Sequence, residues 1–221
     1  GADRQPAGGM MYPFIKRGAD VVLSLLALIC LSPVYLLVAL AVKLTSPGPV
    51  LFRQTRVTRY GRAFRIYKFR TMVADAESKG SQVTVQGDSR ITRVGAKLRG
   101  CRLDELPQLI NILKGDMSFV GVRPEVPRYV EQYTDEMYAT LLLPAGVTSQ
   151  ASILYRDEQR LLDGAADPDR TYVEEVLPQK MAYNLRELAS FSFWQDIRTM
   201  FRTLAAVLGE SDAAPPENGG A

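Results

Sequence analysis

The chain is 221 residues long, carries a net charge of +3 and contains no histidine. Its length suits one domain with attachments better than two full domains. The missing histidine excludes Ser-His triads, imidazole acid–base catalysis and imidazole-based zinc sites, which leaves carboxylates, basic side chains or a thiol to carry any chemistry.

In chain order, GADRQPAGG begins a flexible lead over residues 1–11. The run VVLSLLALICLSPVYLLVALAV, Val21 to Val42, then gives 22 residues without a charge, long enough for a membrane helix and without the cleavage pattern of a signal peptide. Ser32-Pro33 sits at its centre. Proline removes a backbone donor and clashes with the preceding turn, while the serine hydroxyl can satisfy the freed carbonyl, so a bend is expected there. Lys16 and Arg17 precede the run and Lys43 follows it, whereas a simple span concentrates its basic residues on the cytoplasmic side. The residues by themselves leave a kinked span and a re-entrant hairpin both open.

Ser46-Pro47-Gly48-Pro49 breaks the chain. VLFRQTRV and AFRIYKFR then flank Arg59-Tyr60-Gly61-Arg62, which reads as a β-hairpin. From Lys43 to Arg70 there are eight Lys or Arg residues and no acid, a concentrated positive field that implies an anionic neighbour. Their period of three means that they cannot all lie on one face of a strand. Residues 73–90 read mostly as loop, Ile91 to Arg102 as a basic helix, and Leu106 to Lys114 as a helix stopped by Gly115. DMSFVGVRPEVPRYV turns on Gly121, Pro124 and Pro127, and the pattern beyond it is mostly helical. Phe193, Ile197, Phe201, Leu204 and Leu208 form one apolar stripe with Trp194 beside it; a core helix is the commoner meaning, an interfacial membrane helix the other. Residues 12–209 are taken as one domain and 210–221 as a disordered tail. Cys30 lies in the apolar run and Cys101 far away in a polar segment, so no disulfide is expected, which fits a reducing cytosolic location for the soluble part.

The acidic pair of CRLDELPQ, Asp104-Glu105, carries the candidate chemistry. Residue physics alone favours a structural meaning: Asp is a preferred N-cap, Glu suits the first turn, and Pro107 is tolerated there. The chemical alternative uses the same helix end, whose unpaired N–H groups attract a phosphate with help from Arg99 and Arg102. Asp104 could then attack phosphorus to form an aspartyl-phosphate, with Mg²⁺ held by Asp104 and Glu105 neutralising the phosphate oxygens.

SPGPVLFRQTR, YKFRTM, SRITRVG, LDELPQLINILKGDMSFVGVRP and the proline-containing apolar segment, in this order, closely resemble the bacterial sugar transferases called monotopic phosphoglycosyl transferases, or polyprenyl-phosphate hexose-1-phosphate transferases. The likeness runs from about Tyr12 to about Arg156 and continues more weakly through the last helices. It implies an α+β, mainly α, monotopic membrane protein with a re-entrant N-terminal helix over about 17–44 broken at Ser32-Pro33, a small β-hairpin and interfacial amphipathic helices. It also implies a site on the cytoplasmic face of the bacterial inner membrane. The implied reaction moves a sugar-1-phosphate from a UDP-sugar to undecaprenyl phosphate and releases UMP, with Asp104 as covalent nucleophile and Glu105 completing the pair. Lys68, Arg99 and Arg123 match basic positions near the phosphates or nucleotide, and Arg70, Arg102 and Arg156 join them as substrate-binding candidates. For each basic residue the structural alternative is a solvated surface charge. The implied partners are the UDP-sugar, undecaprenyl phosphate and membrane lipids, with no nucleic acid; a homo-oligomer is left open.

Two departures bear on specificity. The family's GPRP loop reads GVRP here, and PAGVTSQASILYRDE stands where many members have PGITG and an Asn-Gly-Arg-Asn group. Many members also carry extra N-terminal membrane helices, so this sequence reads as the minimal form. The rival functions are a non-enzymatic anchored scaffold that binds anionic lipid, and a metal-dependent glycosyltransferase that releases UDP.

Overall fold

The computed structural model describes residues 12–76, 83–85, 87–156 and 158–207; the lead at 1–11, Leu208 and the tail at 210–221 lie outside them. The fold is α+β and mainly helical. Helices α1 (Tyr12–Cys30) and α2 (Ser32–Thr45) meet at a break with a bend of 64°. Pro33 lacks the N–H that would serve the carbonyl of Ile29 four residues back, and the Ser32 hydroxyl donates to that carbonyl at 2.8 Å. Among the described residues no single helix is long and apolar enough to cross a membrane, although the bent pair together has the length and composition. Val22, Leu26, Ile29, Leu36, Leu37 and Leu40 all stand exposed on this pair.

The expected hairpin is present: β1 (Leu51–Val57) pairs antiparallel with β2 (Ala63–Phe69), Leu51 opposite Phe69 and Val57 opposite Ala63. Its turn places Tyr60 at φ 60° and Gly61 at φ 72°. Period two sends Phe64 and Ile66 inward, where they pack with Leu109, Ile112 and Met117. Helix α3 (Arg93–Gly100) is capped by Thr92, whose hydroxyl accepts the Gly95 N–H at 2.9 Å. Gly95 sits so close to the neighbouring chain that an added Cβ would lie 2.0 Å from the Thr71 carbonyl oxygen. Gly95→Ala is therefore expected to destabilise the fold by about 1–3 kcal/mol, read as a lowered thermal midpoint of the purified protein.

Leu103–Glu105 forms a single 3₁₀ turn, followed by α4 (Gln108–Lys114). The capping account of Asp104 does not hold. The residue ahead of the turn is Arg102, in the left-handed region at φ 56°, the residue ahead of α4 is Pro107, and neither helix start has a side-chain cap. Proline at φ −62° sets the entry to α4 by covalent geometry, and Asp104 lies too far upstream to reach its first N–H groups. At the other end Gly115 adopts φ 86° and donates to the Asn111 and Ile112 carbonyls, the stop expected from sequence.

Strand β3 (Met117–Val120) pairs in parallel with β4 (Ala145–Thr148), Met117 opposite Ala145 and Val120 opposite Thr148. Sequence reading had turn and helix here, because four-residue strands are too short to show a period. Short helices α5 (Pro127–Val130), α6 (Asp135–Tyr138), α7 (Gln150–Leu154), α8 (Glu158–Leu161) and α9 (Pro168–Thr171) follow. A π-helical stretch, Tyr172–Val176, runs on into α10 (Leu177–Ala189). These pack around Tyr129, Tyr133, Tyr155, Tyr172, Leu162 and Met181.

Helix α11 (Phe193–Val207) overturns the core reading of its stripe. Phe193, Trp194, Phe201 and Leu204 are exposed, while Asp196 and Thr199 are the buried residues. The polar side faces inward because Asp196 receives hydrogen bonds from Tyr12 and Lys16 of α1, a pairing that sequence spacing alone cannot reveal.

Candidate active site

Of the acid pair in the 3₁₀ turn, Asp104 lines a cavity of about 780 Å³ and Glu105 does not. Basic side chains line this cavity, among them Arg53 and Arg56 of β1, Lys68 of β2, Arg90 and Arg99, together with Asp104. Its apolar wall comes from Val50, Leu51, Phe52, Phe69 and Met72, directly after α2. The period of three in the hairpin thus sends some of its arginines into the cavity, and such a surplus of cations in a partly enclosed space favours an anionic ligand.

The two acids are treated in opposite ways. Glu105, 9% exposed, accepts from Lys68 Nζ at 2.9 Å and Arg123 Nη2 at 2.7 Å, both on Oε1, and Arg102 Nη1 lies 4.0 Å from Oε2. Burial alone would raise its pKa, but the Arg123 and Lys68 charges outweigh it and hold the carboxyl well below its ordinary value. Glu105 also raises the pKa of Arg123, whereas burial lowers that of Lys68 despite Glu105. Asp104, 6% exposed, accepts no hydrogen bond and has no cation within ion-pair distance among the described residues. Burial raises its pKa, and the attraction of Lys68 and the repulsion of Glu105 partly offset one another. A desolvated, unpaired carboxylate beside cations that are already positioned has its lone pairs available for a reaction.

Arg99 donates to the Thr71 and Thr84 hydroxyls, each at 3.2 Å, and its buried Nη1 has no partner among the described residues. A cationic donor left without a partner in this way is one that an oxygen anion would satisfy, and Lys68 belongs to the same lining. Arg123 is fixed indirectly. The loop behind it is tied to β1, because Val57 N–H donates to the Glu125 carbonyl at 3.0 Å and Arg56 to the Pro124 carbonyl at 3.1 Å.

The remaining candidates separate. Arg70 is buried and donates to the Ser46 and Pro47 carbonyls, so it braces the turn after α2 while reaching the cavity wall. Arg102 donates to the Arg156 carbonyl at 3.4 Å, and the Arg156 guanidinium itself donates to the Ala206 carbonyl of α11 at 2.9 Å. Arg156 does not line the cavity. Ser32 and Pro33 lie at the bend of the helix pair, outside the lining of this cavity.

Sequence reading singled out none of Gln54, Thr71, Thr84 and Arg90 in the lining, although Gln54, Thr71 and Arg90 lie inside the quoted segments SPGPVLFRQTR, YKFRTM and SRITRVG; only Thr84 has no motif to mark it. It also missed a buried network beneath the Arg123 loop. There Glu125 accepts from Tyr172 at 2.5 Å and Lys180 at 3.4 Å and lies 3.9 Å from Arg56, while Lys180 also donates to Glu158 at 2.9 Å.

Among the described residues no three Asp, Glu, Cys or His side chains converge as a metal cage. Mg²⁺ commonly uses only one or two carboxylates and takes its other oxygens from water and substrate phosphates. Asp104 and Oε2 of Glu105 fit that mode, since Oε1 is committed to Lys68 and Arg123. Cys30 and Cys101 are both free thiols, as expected.

Residues 11–210 match the family described as bacterial sugar transferase. The chain is 40% identical over 202 residues to a UDP-N-acetylgalactosamine-undecaprenyl-phosphate N-acetylgalactosaminephosphotransferase of Aeromonas hydrophila, a match covering 90% of this chain and 44% of that protein. It is 39% identical over 194 residues to a UDP-glucose:undecaprenyl-phosphate glucose-1-phosphate transferase of Escherichia coli, covering 86% of this chain and 39% of that protein. A UDP-glucose:undecaprenyl-phosphate glucose-1-phosphate transferase of Caulobacter vibrioides is 38% identical over 201 residues, covering 90% of this chain and 71% of that protein. The chain thus spans less than half the length of the first two relatives. With nearly its whole length matched, the chain belongs to the bacterial sugar transferase family.

Proposed function

We propose that the protein transfers a sugar-1-phosphate from a UDP-sugar to undecaprenyl phosphate and releases UMP, through a covalent phosphosugar on Asp104. The observation that carries this reading is the contrast within the acid pair: Glu105 is locked between Lys68 and Arg123, while Asp104 stands unpaired in the lining of the basic cavity. An Asp104 oxygen attacks the phosphorus that bears the sugar. The bond from that phosphorus to the oxygen bridging the two phosphates breaks, and UMP departs with that oxygen. A phosphate oxygen of the lipid then attacks the same phosphorus, breaks its bond to Asp104 and yields a lipid diphosphate sugar. Lys68, Arg99 and Arg123 orient the phosphates and balance charge that would otherwise oppose anion–anion attack. Mg²⁺ held by Asp104 and Glu105 would supply further neutralisation of the phosphate oxygens.

The same reading makes the protein monotopic, on the cytoplasmic face of the inner membrane, with the α1–α2 pair re-entrant and the exposed side of α11 in the interface. Both ends of the pair rest on one body: Arg17 bonds to α4, and Val42 packs with Phe69 and Leu98. A spanning helix would send its ends to opposite sides of the bilayer. Labelling of cysteines placed at the exposed positions Pro13 and Lys43 is expected to reach both from one side only.

The reaction is tested with the purified protein in vesicles, given Mg²⁺, undecaprenyl phosphate and a panel of UDP-sugars. UMP is the expected nucleotide product, together with an intact-mass increase equal to one sugar phosphate when the lipid is withheld. Release of UDP, or turnover with no adduct, would refute the mechanism.

A further inference from the structure

We propose that Tyr35, on the apolar helix pair, is a positioning residue for the reaction at Asp104. The proposal rests on the reading of Asp104 as nucleophile. In a 3₁₀ turn, side chains three apart share one face. Leu103 and Leu106 therefore point together and, with Val34 and Tyr35 of α2, pack against the buried cluster of Val38, Val42, Phe69 and Leu98, while Asp104 borders the cavity.

The Tyr35 hydroxyl donates to the carbonyl of Leu106, the residue directly after the acid pair. Its ring leans on Phe69 at 5.6 Å between centroids, next in sequence to Lys68. One side chain thus touches the turn that carries the carboxylates and the strand that carries their cation. Tyr35 also lies one helical turn beyond Ser32, with its N–H on the Leu31 carbonyl at 2.9 Å, so the bend sets its direction. The other arm holds the far end of α4, where Arg17 donates to the Ile112 and Leu113 carbonyls at 2.5 and 2.8 Å. The segment following the nucleophile is held at both ends by the two arms of the bent pair.

The Leu106 carbonyl also accepts the Leu109 N–H at 3.0 Å. Removing the phenol oxygen therefore leaves no buried carbonyl without a partner, and the phenyl ring still fills the seam. For this reason Tyr35→Phe separates positioning from folding. Loss of one hydrogen bond that fixes a reacting group is expected to lower kcat about three- to tenfold, with KM for the UDP-sugar, thermal midpoint and membrane partitioning unchanged. In single turnover the formation of the phosphosugar adduct should slow by the same factor. Unchanged kcat would overturn the proposal, as would a loss of turnover that follows a fall in thermal midpoint or membrane partitioning. Asp104→Asn is measured alongside: if that variant turns over normally, the nucleophile assignment itself fails, whatever Tyr35→Phe does.

Discussion

Replacing Asp104 with Asn is expected to abolish turnover and the phosphosugar adduct while making the protein more stable. The amide keeps the shape of the side chain but cannot attack phosphorus, so the loss should be on the order of a thousandfold or more. The stability gain follows from the sign of its titration. Burial raises the carboxyl pKa above its ordinary 3.8, so the folded state holds this proton more tightly than the unfolded chain does. Above that range, ionised Asp104 costs stability, and neutral Asn removes the cost. Thermal unfolding at neutral pH checks the gain and steady-state UMP release checks the loss. A variant that lost activity and stability together would indicate a structural residue. The same shift places the acid limb of the pH–rate profile above 3.8, because only the ionised form attacks.

Glu105→Gln should have the opposite effect on stability. It leaves Lys68 and Arg123 facing one another without the carboxylate that separates them. Breaking a buried pair from one side costs about 3–5 kcal/mol, and the partial exposure of the two cations puts the expected loss near about 3 kcal/mol. For a chain of this size that corresponds to roughly 6–12 °C in thermal midpoint. The folded carboxyl titrates well below 4.5, so its contribution is complete above that pH and fades as pH falls through the folded pKa. The gap between parent and variant should therefore be widest at neutral pH and close in acid. Turnover should fall as well, since the cations that orient the phosphates are no longer fixed. An equal gap at every pH would mean that Gln fails through packing and not through charge.

How much of this could be read from sequence depended on the range of the interaction. The hairpin was legible because period two and a glycine turn are local, and so was the Ser32-Pro33 bend, because a missing N–H and a hydroxyl one residue away are local too. Gly115 was legible for the same reason. The acid pair was found, but its geometry was misjudged: propensity makes Asp104 a cap, whereas Pro107 fixes the start of α4 and leaves Asp104 facing a cavity built by distant residues. The β3–β4 pairing joins segments about 28 positions apart, and neither strand is long enough to signal itself. Glu125, Lys180 and Tyr172 were invisible for a related reason, since a buried charge is recognised only by a partner brought to it by the fold. The stripe on α11 was seen correctly, but the side facing inward was decided by Asp196 meeting Lys16 and Tyr12.

Helix α11 also acts as a strut between two distant places. Near its start, Asp196 is fastened to Tyr12 and Lys16 at the head of α1; near its end, the Ala206 carbonyl is fastened to Arg156, whose own carbonyl holds Arg102. Those two ties are ten residues apart, about 15 Å along the axis. A rigid helix of that length makes the head of α1 and the Arg102–Arg156 contact move as one unit, so the basic turn ahead of the acid pair is braced from the apolar helix pair.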